Sequence, residues 1–118
     1  MDIETTTHDD WQVLVLDGEF DTYASGEVRD RLTELIGAGD PPRVVVDLST
    51  VTFMDSSALG VLVGALRTAR TLDGEIRLAA ASDKLQPLFR ITGLNKTFAM
   101  FDTVAQATAA AVEPTAPR

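Results

Sequence analysis

A chain of 118 residues, 45% of them hydrophobic, is long enough to bury about two thirds of its unfolded surface in one domain without covalent staples. Cysteine is absent, which excludes disulfides and thiolate metal sites and is compatible with a reducing compartment. Eighteen acidic against ten basic side chains leave a formal charge of −8, which repels phosphate backbones and anionic membrane surfaces and argues against nucleic acid as a ligand.

The same charge would steer in a partner with a basic face, and it equally serves to keep a small protein soluble. No run approaches the roughly 18 apolar residues of a membrane span. Residues 1–10, MDIETTTHDD, are acidic where a signal peptide is basic and then apolar. A soluble cytoplasmic protein with no membrane association is expected.

Ile3 to Thr7 alternates weakly and reads as an edge strand or a frayed terminus. Trp11 to Leu16 is a stronger strand that runs into Asp17-Gly18, a common turn pair. From Thr22 to Ile36, Ala24, Val28, Leu32, Leu35 and Ile36 share one helical face, with Glu27, Arg29, Asp30, Arg31 and Glu34 on the others. Gly37 to Pro42 stops this helix, glycine supplying a left-handed cap and the prolines an extended lead into the next strand.

That next strand, Val44 to Leu48, is a run of β-branched and apolar residues interrupted by Asp47, the pattern of a strand covered on most of its surface. Asp55, Ser56 and Ser57 then offer capping side chains before a helix with Leu59, Leu62, Val63, Leu66 and Ala69 on its apolar stripe. The opposite side carries Ala58, Gly60, Val61, Gly64 and Ala65. It is small and uncharged, as for a helix packed on both sides or one closely approached by a partner. Function is expected at the turn before this helix.

Asp73-Gly74 closes the helix, and Glu75 to Ala80 forms a short strand with Ile76, Leu78 and Ala80 alternating against Arg77. Ser82 or Asp83 caps a helix from Lys84 to Thr92 that buries Leu85, Leu88, Phe89 and Ile91, with Pro87 near its first turn, where a missing N–H is least costly. Gly93 ends it. Thr97 to Phe101 reads as a last strand, and Asp102 or Thr103 caps a final helix from Val104 to about Val112. Residues 113–118 read as a disordered tail after a single domain over 1–112. Strands alternating with helices imply an α/β fold: a mixed, mainly parallel sheet of four or five strands with about four helices on one face or both.

Catalytic chemistry has little support. The single histidine, His8, lies in an N-terminal segment expected to be mobile, whereas a serine nucleophile needs a positioned base, and Met54-Asp55-Ser56-Ser57-Ala58 lacks the glycine-flanked nucleophile elbow. No phosphate-binding glycine loop and no metal-ligand spacing are present, so no cofactor and no metal are expected. Taken alone, Asp-Ser-Ser before a helix is a cap; it also presents the Ser56 hydroxyl to solvent, good geometry for a substrate of another protein's active site.

Residues 44–64, VVVDLSTVTFMDSSALGVLVG, resemble the signature of the STAS domain family, and in particular of bacterial anti-sigma factor antagonists. Gly18-Glu19-Phe20-Asp21 is similar to the family's Gly-Glu-Leu/Ile-Asp segment, and Leu88 to Leu94 to its Leu-Phe-x-x-x-Gly-Leu segment. The resemblance implies partner switching. An unphosphorylated antagonist binds an anti-sigma factor that is also a serine kinase and so releases a sigma factor; phosphorylation ends binding and a serine phosphatase restores it. Carried onto this chain, the acceptor is Ser56, and Asp21, Asp55, Ser57, Ala58, Gly60, Val61 and Gly64 contribute to the docking surface. Ala58 departs from the family's usual glycine and would place a methyl group beside the acceptor. Two rivals remain: a STAS scaffold or accessory subunit in which Ser56 is only a cap, and a small hydrolase using Ser56 and His8.

Overall fold

The computed structural model describes residues 1–111; the expected tail at 113–118, and Val112, lie outside the described residues. The elements follow in the order β1 (Asp2–His8), β2 (Trp11–Phe20), α1 (Thr22–Ala38), β3 (Arg43–Met54), α2 (Ser56–Thr71), β4 (Glu75–Ala79), α3 (Gln86–Ile91), α4 (Leu94–Thr97), β5 (Ala99–Phe101) and α5 (Val104–Ala109). The five strands form one sheet in sequence order. β1 pairs with β2 antiparallel, and every later pair is parallel.

Side-chain alternation along the strands sorts the core into two layers. Leu14, Leu16, Val44, Val46, Leu48, Ile76 and Leu78 face α1 and α2 and pack with Val28, Leu32, Leu62 and Leu66. Trp11, Val13, Val45 and Ala79 face the other way and pack with Ala107 of α5. Both faces of the central strands are therefore covered, which is why β2 and β3 read as continuous apolar runs rather than as alternating ones.

Several boundaries differ from the sequence reading. Asp17-Gly18 does not turn the chain: β2 runs through it to Phe20, and the register against β3 shifts there, with Gly18 at φ 112°. A bulge satisfies the same glycine preference as a turn. α1 runs past Gly37 to Ala38, and Gly39 is extended (φ −97°) rather than left-handed. β3 is twelve residues long because Val51 and Met54 keep contributing to the core. β4 stops at Ala79, since Ala80 takes a left-handed conformation (φ 60°). α3 is shorter than expected, begins without a side-chain cap, and leaves Ile91 85% exposed rather than buried. A helical turn, α4, occupies the start of the expected last strand. α5 ends at Ala109, capped at its start by Thr103.

The largest departure is Arg77. Alternation within β4 places it in the α5 layer, where it is only 3% exposed. Its guanidinium donates to the carbonyls of Ala107 (2.6 Å), Ala110 (2.8 Å) and Ala111 (2.9 Å), which the end of α5 cannot satisfy internally. It stacks over the Trp11 ring at 4.4 Å and lies 5.3 Å from the Phe101 centroid. Nε sits 3.2 Å from Glu75 Oε2, an ion pair not aligned as a hydrogen bond. One buried cation thus pins α5 to the sheet.

Arg77→Ala should lower stability by about 3 kcal/mol in urea unfolding, because it strands a carboxylate and three carbonyls together, and it should shift the fluorescence of the single tryptophan. Gly74 marks a different constraint: a Cβ there would collide with the carbonyl and ring of Pro42. Gly74→Ala should therefore destabilise by roughly 1–3 kcal/mol in the same measurement.

Candidate functional site

β2 and β3 end in register, with Phe20 opposite Met54. The next residue of each strand is an aspartate that caps the following helix. Asp21 Oδ1 accepts from the Ala24 N–H at 3.0 Å, and Asp55 Oδ1 from the Ala58 N–H at 3.1 Å. Both caps share an extended backbone, φ −110° and −116°, as capping requires. Parallel neighbouring strands thereby set the N-termini of α1 and α2 side by side.

Asp55 links the two. Its Oδ2 accepts from the Thr22 N–H at 3.1 Å and from Thr22 Oγ1 at 3.3 Å, so a single carboxylate satisfies an orphan donor of each helix. Thr22 Oγ1 in turn lies 2.9 Å from Ser57 Oγ. The Asp55 carboxyl is held below its ordinary value chiefly by the Ala58 N–H; desolvation opposes this, and the Thr22 hydroxyl, the Thr22 N–H and the Ser57 N–H add further lowering. The corner hydrogen bonds run through Thr22, Asp55 and Ser57 and leave the Ser56 hydroxyl out. Ser56 is exposed in the first turn of α2, free to be approached.

The structure separates the residues expected on the docking face. Asp21, Asp55 and Ser57 gather with Ser56 at the corner, and Gly60 and Gly64 lie exposed further along α2. Ala58 and Val61 do not present themselves: they are 0% and 5% exposed, turned toward the core. The methyl group of Ala58 is therefore absorbed by the interior and does not stand beside the acceptor.

Sequence reasoning missed Thr22, whose role depends on the β2–β3 register; the parallel between Phe20-Asp21-Thr22 and Met54-Asp55-Ser56 was the available signal. It also missed Tyr23, which follows Thr22 with its ring 97% exposed. His8 is not in a frayed terminus but in β1, opposite Trp11. That is the start of β2, whereas Ser56 lies beyond the end of the parallel strand β3, so ten residues of strand, roughly 30 Å, separate them. The hydrolase pairing of His8 with Ser56 is excluded by this distance. Among the described residues no group of three or more potential metal ligands occurs, and no helix is long and apolar enough to cross a membrane.

Comparison with known proteins identifies the family and the fold. The STAS domain pattern matches residues 2–107, and the chain belongs to the STAS domain family. An anti-sigma-B factor antagonist of Staphylococcus aureus is 37% identical over 94 residues, covering 80% of this chain and 86% of that protein. Among solved structures, an anti-sigma factor antagonist from Mycobacterium paratuberculosis superimposes with a TM-score of 0.82 at 24% identity, covering 91% of this chain and 90% of the other. The Bacillus cell fate determinant SpoIIAA in its phosphorylated form superimposes at 0.71 and 24% identity, covering 91% and 96%. The mixed five-stranded sheet is the fold these proteins share.

The lowered Asp55 carboxyl has a worked sign. Its contribution to stability is complete above the unfolded value of about 4 and disappears as pH falls through the lower folded value. Asp55→Asn keeps a capping oxygen without the charge, so it should melt below the wild type at neutral pH. The gap should close on acidification below about pH 4; a gap independent of pH in thermal melts would show that the bridge does not depend on charge.

Proposed function

We propose that this chain is an anti-sigma factor antagonist, a regulator rather than an enzyme, working in the cytoplasm. In its unmodified form it binds an anti-sigma factor that is also a serine kinase, and a sigma factor is released. Transfer of the γ-phosphoryl group of ATP to Ser56 Oγ, with loss of the hydroxyl proton, ends that binding, and a serine phosphatase reverses it. The observation that carries this reading is the Ser56 hydroxyl, exposed in the first turn of α2 and outside the hydrogen-bond network around it.

The electrostatics of the corner favour an effect on the partner over an effect on the fold. A phosphate adds about −1.5 to −2 charges. The N-terminus of a sixteen-residue helix attracts it, but the Asp55 carboxylate already occupies the Ala58 N–H there. Attraction and repulsion oppose each other, and the Ala24, Ala58 and Thr22 N–H groups are already taken by the Asp21 and Asp55 carboxylates. In a close-packed interface the same dianion has no prepared partner, and its desolvation is uncompensated. The relatives named as anti-sigma-B factor antagonists support the choice of partner class. The alternative of a STAS scaffold or accessory subunit takes Ser56 as only a helix cap, with Ala58 mildly in its favour; the capping oxygen is that of Asp55 and the Ala58 methyl group lies in the core, which weakens both supports.

Incubation with the cognate kinase and Mg-ATP should add one phosphate, which mass spectrometry places on Ser56. Ser56→Ala should bind without being modified. Ser56→Asp should weaken the complex by at least about 2 kcal/mol, roughly thirty-fold in Kd, with an unchanged circular dichroism spectrum. A phosphate found elsewhere, or full affinity in Ser56→Asp, would remove the switch.

A further inference from the structure

β1 is the outer strand on one side of the sheet, seven residues long and paired with β2 alone. The outer strand on the other side, β5, has three residues and is protected by its brevity. None of the usual devices that blunt a long edge interrupts β1. It contains no proline or lysine, its register against β2 shows no shift, and no other main chain among the described residues bonds to it.

The connection to β2 is Asp9-Asp10, so His8 and Trp11 close a two-residue hairpin as a hydrogen-bonded pair. Alternation then turns the N–H and C=O groups of Asp2, Glu4, Thr6 and His8 toward β2, and those of Ile3, Thr5 and Thr7 outward. Among the described residues no hydrogen bond reaches these outward groups. α1 touches the strand here through Arg31 Nη1, which donates to Thr5 Oγ1 at 3.1 Å and leaves the Thr5 main chain free.

The strand is complementary to itself in one register. With a two-fold axis at Thr5, antiparallel pairing sets Thr5 against Thr5 of the second copy and Ile3 against Thr7, all β-branched pairs on the α1 side of the sheet. On the other side Asp2 faces His8 and Glu4 faces Thr6, so no carboxylate stands opposite another. A slide of two residues one way sets Glu4 against Glu4, and the same slide the other way leaves Asp2 and Ile3 without partners.

We propose that β1 joins β1 of a second copy of this chain, antiparallel about Thr5, into one continuous sheet. Ile3, Thr5 and Thr7 of each copy together supply about six main-chain hydrogen bonds. The contact is narrow and joins two chains of charge −8, which makes the dimer weak, with a Kd on the order of 0.1 mM. β3 lies two strands in from this edge, so Ser56 is outside the paired strand and the dimer carries two Ser56 corners.

Sedimentation equilibrium of the full chain from about 10 µM to about 1 mM brackets that affinity, and the wild type should pass from monomer toward dimer. Thr7→Pro removes an N–H that bonds nothing in the monomer, so it should keep the circular dichroism spectrum and weaken association at least about tenfold. Thr6→Glu, on the exposed side of β1, sets a carboxylate against Glu4 and should weaken it similarly. Adding Glu4→Lys turns that contact into an ion pair and should restore the dimer. Because the chain has no cysteine, Thr5→Cys treated with oxidised glutathione should form a covalent dimer across the axis. Thr7→Cys, whose two copies stand roughly 13 Å apart in this register, should not. A wild type that stays monomeric at about 1 mM overturns the pairing. So does a dimer unmoved by Thr7→Pro and Thr6→Glu, or one that cross-links through Thr7→Cys and not through Thr5→Cys. Should Thr7→Pro unfold the protein, the charge exchange and the two cysteine variants still decide.

Discussion

The in-register ending of β2 and β3 is the constraint from which the site follows. Pairing of Phe20 with Met54 places two capping aspartates on adjacent strands, one strand spacing apart. Only then can Asp55 reach the Thr22 N–H of the neighbouring helix. The carboxylate does two jobs with two oxygens, capping its own helix and tying it to the next. Because these bonds are made to main-chain donors, they depend on the backbone path more than on the identity of the side chains around them. Ser56 inherits its exposure from this arrangement: the cap is Asp55, so the following hydroxyl has no structural duty and points away.

The sheet is held from two sides by different physics. Toward α1 and α2 the contact is an aliphatic layer of ordinary kind. Toward α5 the layer is small, and a guanidinium completes it. Burying that charge is tolerable because its donors meet helix-terminal carbonyls, its flank meets a carboxylate, and its face meets an aromatic ring. The short α5 has few apolar side chains with which to dock, and the carbonyls at its end are the strongest handle it offers.

Glycine has opposite meanings at two ends of α2. At Gly74 the chain packs so tightly on Pro42 that no side chain fits, whereas at Gly60 and Gly64 the space beyond Cα is open. Charge is likewise uneven at the corner, where Asp21 and Asp55 both stand beside Thr22 and Ser56, and a phosphate there would deepen that asymmetry.

Local pattern was enough for much of this. The apolar runs of β2 and β3, the helical stripe of α1, the aspartate before α2 and the long motif around Ser56 announce the class of fold and the residue at its centre, because caps and periodicities are written within a few neighbours. Thr22, Arg77, Gly18 and Ile91 were misread or overlooked because each depends on something distant. Thr22 matters only once the strands are in register, and Arg77 is buried only because α5 returns over the second face. Gly18 could serve a turn or a bulge with the same backbone angles, and Ile91 fits an apolar stripe whose helix stops before that stripe is covered. The amino-acid sequence by itself determined the elements and the exposed serine, through short-range hydrogen bonding and side-chain periodicity. The tertiary structure alone decided which carboxylate bridges two helices and which strand is left with an open edge, since both are properties of strands and helices brought together from separate parts of the chain.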